Sequence, residues 1–135
     1  MVDIGRHHVE IEEPDIVFIV FDGDVQAEHI TIMYDMAEAH VRERGLKRIF
    51  VLQDFSRIGV LSESVRQAMA HDPRANLLAA LGSFGASFHV RVLINLVQKV
   101  VRIFNGKAAP VVFFATEGEA RAWLEEQRHR WNAEA

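Results

Sequence analysis

Between Ser87 and Asn105 the chain spells a helix with far too little polar surface. At about 100° per residue, Arg91, Asn95, Gln98, Lys99, Arg102 and Asn105 fall on one arc of about 120°, and nearly every other position is Val, Leu, Ile or Phe. A helix laid once on a sheet needs only an apolar stripe, so the rest of this one also has to be covered. The possible covers are its own domain together with a second subunit, an apolar ligand or a membrane surface. Val90, Ile94, Val97, Val101 and Phe104 form the face assigned to the sheet. Val92, Leu96, Val100 and Ile103 are then left as an interaction surface. A two-fold contact buries one patch on both chains at once, so a homodimer is the expected assembly.

Around this helix the chain alternates short apolar runs with helical periods. Val9 and Ile11 alternate with polar neighbours, Glu13-Pro14-Asp15 has turn chemistry, and Ile16 to Phe21 is a β-branched run, which together predict a hairpin. Asp22-Gly23-Asp24 closes the second strand with Asp24 as N-cap, and Ile30, Met33, Ala37 and Val41 recur at helical spacing until Gly45. Ile49 to Leu52 reads as a strand ending at Gln53-Asp54, followed by a loop through Gly59 and a short helix from Ser62 to Ala70, ahead of Pro73. Leu77 to Leu81 and Pro110 to Phe114 are the remaining strands. Thr116 and Glu119 form a capping-box pair that opens a helix over Ala120 to Gln127. Trp123 falls on its core side. Trp131 lies beyond the last clear element, either unstructured or laid over the apolar helix. Strands alternating with helices imply an α/β domain: a mostly parallel mixed sheet with an antiparallel N-terminal strand and about four helices.

Length and charge narrow the function classes. The 135 residues suit one domain spanning 1–135, with its core at about 8–126. A formal net charge of −4 argues against nucleic acid, and the basic run Arg42, Arg44, Lys47, Arg48 reads as a solvated helix end whose cations complement the dipole. The chain has no cysteine, which excludes disulfides and thiolate metal sites. The charged Met1 to His8 segment carries no secretory signal, and Arg91, Asn95 and Lys99 interrupt the best candidate membrane span, so a cytoplasmic location without a span is expected.

Chemistry-bearing patterns are sparse. Ligands of open parallel sheets sit at the carboxyl ends of the strands, which makes Asp22, Asp24, Asp54, Phe55, Ser56, Phe84 and Ser87 the candidate crevice. Gly82-Ser83-Phe84-Gly85 lacks both the lysine of a phosphate loop and the three-glycine dinucleotide pattern, and reads as a tight turn. Asp22-Gly23-Asp24 is what a turn plus cap requires, and adjacent strand residues His7 and His8 face opposite ways, so no metal site is predicted. His40, His71 and His129 lack ligand spacing, and His89, inside the apolar arc, reads as a buried, hydrogen-bonded histidine. No nucleophile elbow or useful carboxylate pair is present, so no catalytic residue and no cofactor is expected.

Three stretches carry a family resemblance: Gly23-Asp24 before the first helix, Val51-Leu52-Gln53-Asp54-Phe55-Ser56, and Ala115 to Leu124. From about His8 to Glu126 the chain resembles the STAS superfamily of anti-sigma-factor antagonists, and more closely its SpoIIAA-like, STAS/SEC14-like branch. The resemblance implies a regulatory module with a protein partner, switched by phosphorylation of a serine in an Asp-Ser-Ser-Gly motif at the start of the helix after the third strand. Here that stretch is Ser62-Glu63-Ser64-Val65, which puts Ser64 at the switch position with Ser62 beside it. The motif's Asp and Gly are absent, and Glu63 adds a fixed negative charge. The SEC14-like half of the resemblance implies an apolar small-molecule ligand as the alternative.

Overall fold

The computed structural model describes residues 1–134. Its strands are β1 (Val2–Ile4), β2 (His7–Glu12), β3 (Ile16–Gly23), β4 (Ile49–Ile58), β5 (Leu78–Phe84) and β6 (Val111–Phe114). Its helices are α1 (Ala27–Arg44), α2 (Glu63–His71), α3 (Phe88–Asn105) and α4 (Glu117–Glu134), with a 3-10 turn over Pro73–Leu77. The strands lie side by side in chain order, β1 to β3 antiparallel and β3 to β6 parallel. Parallel connections are right-handed, so three crossovers that all step the same way put α1, α2 and α3 on one face. The other face is left to α4.

Alternation along the strands serves both layers. Val17, Ile19 and Phe21 of β3 and Val51 and Phe55 of β4 point into the main core with Ile30, Met33, Ala37 and Val41 of α1, the spacing read from the sequence. Phe50 and Leu52 point the other way, onto Ala120 and Leu124 of α4. Gly82 of β5 lies under α4, where an added Cβ would stand 3.0 Å from Leu124 Cγ. α4 is also tied across the sheet by two arginines. Arg121 holds Glu12 through a fork of 2.8 and 2.9 Å, and Arg128 pairs with Asp15. The Arg121 guanidinium keeps the Glu12 carboxyl below the usual carboxylate range.

Several boundaries differ from the sequence expectation. β1 was not anticipated; it pairs with β2 as an edge strand of three residues, too short to show a period. β4 runs on to Ile58 because Asp22 and Gly23 of β3 and Phe84 of β5 continue to pair with it. The segment expected as a loop is therefore largely strand. β5 likewise extends through Phe84, so Gly82 and Ser83 lie in a strand and not in a tight turn. α4 continues past Gln127 to Glu134, and Trp131 sits on it with the Arg48 guanidinium 5.5 Å from its ring, on the far side of the sheet from α3. His40 of α1 is buried and bonds the Pro14 carbonyl at 2.7 Å, fastening α1 to the β2–β3 turn.

Candidate functional site

The short helix α2 and the long helix α3 lie side by side and carry most of the residues singled out in the sequence. Ser62 caps α2, its Oγ accepting the Val65 N–H, and that same Oγ stands 3.1 Å from the Ser64 hydroxyl. Ser62, Glu63 and Ser64 are all exposed. The first turn of a helix leaves backbone N–H groups free and carries the positive end of the dipole, so Ser64 stands where an added phosphate gains on both counts. Glu63 between the two serines opposes it.

α3 is capped by Ser87, whose Oγ accepts the Val90 N–H at 3.2 Å, and stops at Gly106 in the left-handed region at φ 78. Its buried row is Val90, Ile94, Val97 and Val101, as the spacing predicts. Phe104, expected in that row, instead lies on the outside, 63% exposed, with its ring 4.2 Å from His71 at the end of α2. At this end of α3 the neighbour of Phe104 is the last residue of α2 and not the sheet. Val92, Leu96 and Ile103 are exposed, Ile103 to 78%, and Phe88 extends the same stripe at 80%. Val100 is half-buried, because a groove between α2 and α3 of about 280 Å³, lined by Leu96, Val100, Ala70, Gln67 and His71, partly encloses it. His89 is exposed and not a buried core histidine, since its neighbour Val90 takes the inward position in the first turn of α3. Arg91, Lys99 and Arg102 flank the stripe, and α3 carries no carboxylate.

A second feature lies beneath α3. A cavity of about 80 Å³ between the sheet, α1 and α3 is walled by Met33, Ala37, Ile94, Val97 and Val101, with Tyr34, Gln53 and Gln98 as its polar members. Gln53 Oε1 accepts from the buried Ser83 hydroxyl at 3.0 Å, and the Tyr34 hydroxyl donates to the Met69 carbonyl at 3.1 Å. Burial pushes the Tyr34 phenol far above its ordinary range, so it stays a neutral donor. Sequence reading did not assign Tyr34 or Gln98 to a site. Their one signal was a polar group next to otherwise apolar helix positions.

The expected crevice at the carboxyl ends of the strands is not assembled as one site. Asp24 does not cap α1: the turn before that helix is closed by His29 Nδ1 on the Gln26 N–H, and Asp24 Oδ1 accepts the Val60 N–H at 2.8 Å. The Gly59 N–H to Gly23 carbonyl bond, 2.7 Å, closes the same junction. Asp22 pairs with Arg6 and Arg57. Asp54 accepts from the backbone and hydroxyl of Ser56, as a local turn would demand. Phe55 is a core residue, stacked on Phe21, and Phe84 is drawn to the α4 face beside Phe18. Ser87 is used as a cap.

His7 shows what the hairpin hides. It is fully buried while His8 is not, as alternation requires; its Nδ1 accepts the Asp22 N–H at 2.9 Å and its Nε2 has no partner. Burial lowers its pKa from 6.5, the nearby His29 ring adds to that, and the Asp24 backbone and the Asp22 carboxylate act in the opposite sense. The native state therefore prefers neutral His7, so this contribution to stability is present above the ordinary histidine pKa and is lost as pH falls below it. Chemical denaturation from about pH 7 to about pH 5 should show a steeper stability loss in the unmodified chain than in His7→Gln. Equal slopes would mean that His7 is not the titrating group.

Among the described residues no group of three or more His, Asp or Glu could hold a metal ion, and no helix is long and apolar enough to cross a membrane. No protein-family model matches the chain, and no curated protein matches it in sequence. Solved structures do. The chain is similar to the anti-sigma factor antagonist SpoIIAA in its unphosphorylated form, with 13% identity over 88% of this chain and 97% of that chain and a TM-score of 0.60. It is similar also to an uncharacterized DUF3478-family protein from Shewanella loihica PV-4, with 16% identity over 92% of this chain and 99% of that one, again at a TM-score of 0.60. The chain has the SpoIIAA-like fold, as the sequence resemblance implied.

Proposed function

We propose that the domain is a non-enzymatic, cytoplasmic regulatory module that docks through the outer face of α3, with a second copy of the chain as its partner there. The observation that carries this is the stripe Phe88, Val92, Leu96 and Ile103, large apolar side chains in a row on a helix whose inner face is already packed. A stripe of that kind, bordered on one side by Arg91, Lys99 and Arg102, has the apolar centre of a protein interface with a polar margin along that side. Light scattering at tens of micromolar, on the order of a micromolar dissociation constant, should return a dimer. A clean monomer with no apolar molecule in its native mass spectrum would end the proposal.

Ser64 is the control point in this proposal. The fold is shared with the anti-sigma factor antagonist SpoIIAA, whose matching structure is of its unphosphorylated form. The matching helix start here offers an exposed hydroxyl beside a capped N-terminus. Intact-mass measurement on protein from its native cells is expected to reveal a singly phosphorylated fraction that maps to Ser64. Unmodified protein under every growth condition would remove the switch.

A second function is favoured by one specific observation, the cavity beneath α3. An apolar small molecule with one hydrogen-bonding group would find Val97, Val101 and Met33 for its body and Gln53 for its polar end. Native mass spectrometry tells the two apart, because a co-purifying apolar ligand on a monomer supports the cavity and an unliganded dimer supports the docking face.

A further inference from the structure

The geometry points to a binding site for a small organic anion built on a single planar ring, at the end of the sheet opposite the α2 N-terminus. Three distant segments meet there: Arg48 just before β4, Lys107 just after α3, and Trp131 on α4. With Asn76 and Pro110 they wall a cleft of about 140 Å³ whose remaining lining is mostly alanine. That is close to the roughly 150 Å³ known to accept benzene, so the space suits one aromatic ring.

The charges make the cleft selective. Among the described residues no carboxylate lines it, and neither Arg48 nor Lys107 forms an ion pair. Arg44, Arg74, Arg121 and Arg128, by contrast, are each held by an acidic partner. Several other cations are also without an ion pair among the described residues, but Arg48 and Lys107 line one concave site together. Arg48 spends one contact on the Lys47 carbonyl at 3.3 Å and lies 5.5 Å from the centre of the Trp131 ring. Its guanidinium keeps donors free for a carboxylate or phosphate, and Lys107 adds a point charge to the same group. Trp131, with the Arg48 guanidinium over its ring, adds an aromatic wall to the cleft, and the alanine floor leaves room for the ring of the ligand. The basic run that sequence reading assigned to a solvated helix end thus supplies one wall of a site, because Lys107 and Trp131 arrive from far along the chain.

Calorimetric titration of the full chain with phenyl phosphate and with benzoate tests this, using benzyl alcohol as the neutral counterpart. At least one anion should bind with a dissociation constant on the order of 0.1 to 1 mM, and benzyl alcohol should bind at least about tenfold more weakly. Preference between the anions tells phosphate esters from carboxylates as the natural ligand class. Arg48→Gln and Lys107→Gln should each weaken the favoured anion about tenfold, and Arg6→Gln, exposed at the other end of the sheet, should leave it unchanged. Lys107 is exposed and has no ion pair among the described residues, so its variant keeps the test valid should Arg48→Gln disturb the Trp131 contact. No binding of either anion up to about 10 mM, equal binding of benzyl alcohol, or binding that survives both cleft variants would overturn the assignment.

Discussion

Replacing Phe55 with alanine is expected to remove about 3 to 5 kcal/mol of folding stability, enough to unfold much of a domain with a total of about 5 to 15 kcal/mol. Phe55 is 2% exposed, and its ring lies parallel to Phe21 at 5.3 Å and tilted to Phe113 at 6.5 Å. Truncation deletes the transfer energy of a whole ring and leaves a hole among β-sheet neighbours that cannot close on it. Urea denaturation, compared with Phe104→Ala, provides the contrast. Phe104 is mostly exposed, so its loss should change stability by no more than about 0.5 kcal/mol. Equal costs for the two would mean that Phe55 is not in the core and that the extended β4 is wrong.

Charging the α3 stripe is the second large effect. Leu96→Glu combined with Ile103→Glu should convert the proposed dimer to a folded monomer with an unchanged far-ultraviolet spectrum. Covering an apolar side chain of this size contributes about 1.5 to 3 kcal/mol, so withdrawing two from each chain and burying two charges in their place exceeds what a symmetric contact can absorb. Both positions are on the outside of the helix, at 48% and 78% exposure, so the fold itself should hardly respond. Ile32→Glu, on the outer face of α1, controls for charge alone and should leave association as it was. A dimer that survives the double substitution would place self-association on some other surface.

Both predictions join what was legible along the chain to what was not. The buried row of α3 was readable because Val90, Ile94, Val97 and Val101 repeat with the period of a helix, and a period is a local property. The start of α2 was readable for the same reason, since Ser62 satisfies the Val65 N–H three residues on, and Ser87, expected in the crevice, serves Val90 in the same way. Asp24 carried the same local signal, yet its carboxylate went to Val60, thirty-six residues away, and no spacing rule anticipates such a partner. The exposed stripe was foreseeable as surplus apolar surface, but the place of Phe104 depended on how the end of α2 lies against the helix.

By itself, then, the sequence determined the alternation of elements, the core faces of α1 and α3, and the serines at the start of α2, since each is written in residues within a turn or two of one another. Tertiary structure alone decided how far β4, β5 and α4 extend, because strand pairing and the Arg128 to Asp15 contact lend stability that local propensity does not contain. It also decided that the strand-end residues Phe55 and Phe84 turn into the two cores, and that Arg48, Lys107 and Trp131 share one cleft. Neighbours in space but not in sequence leave no period to read, and such groupings exist only once the chain has closed its sheet.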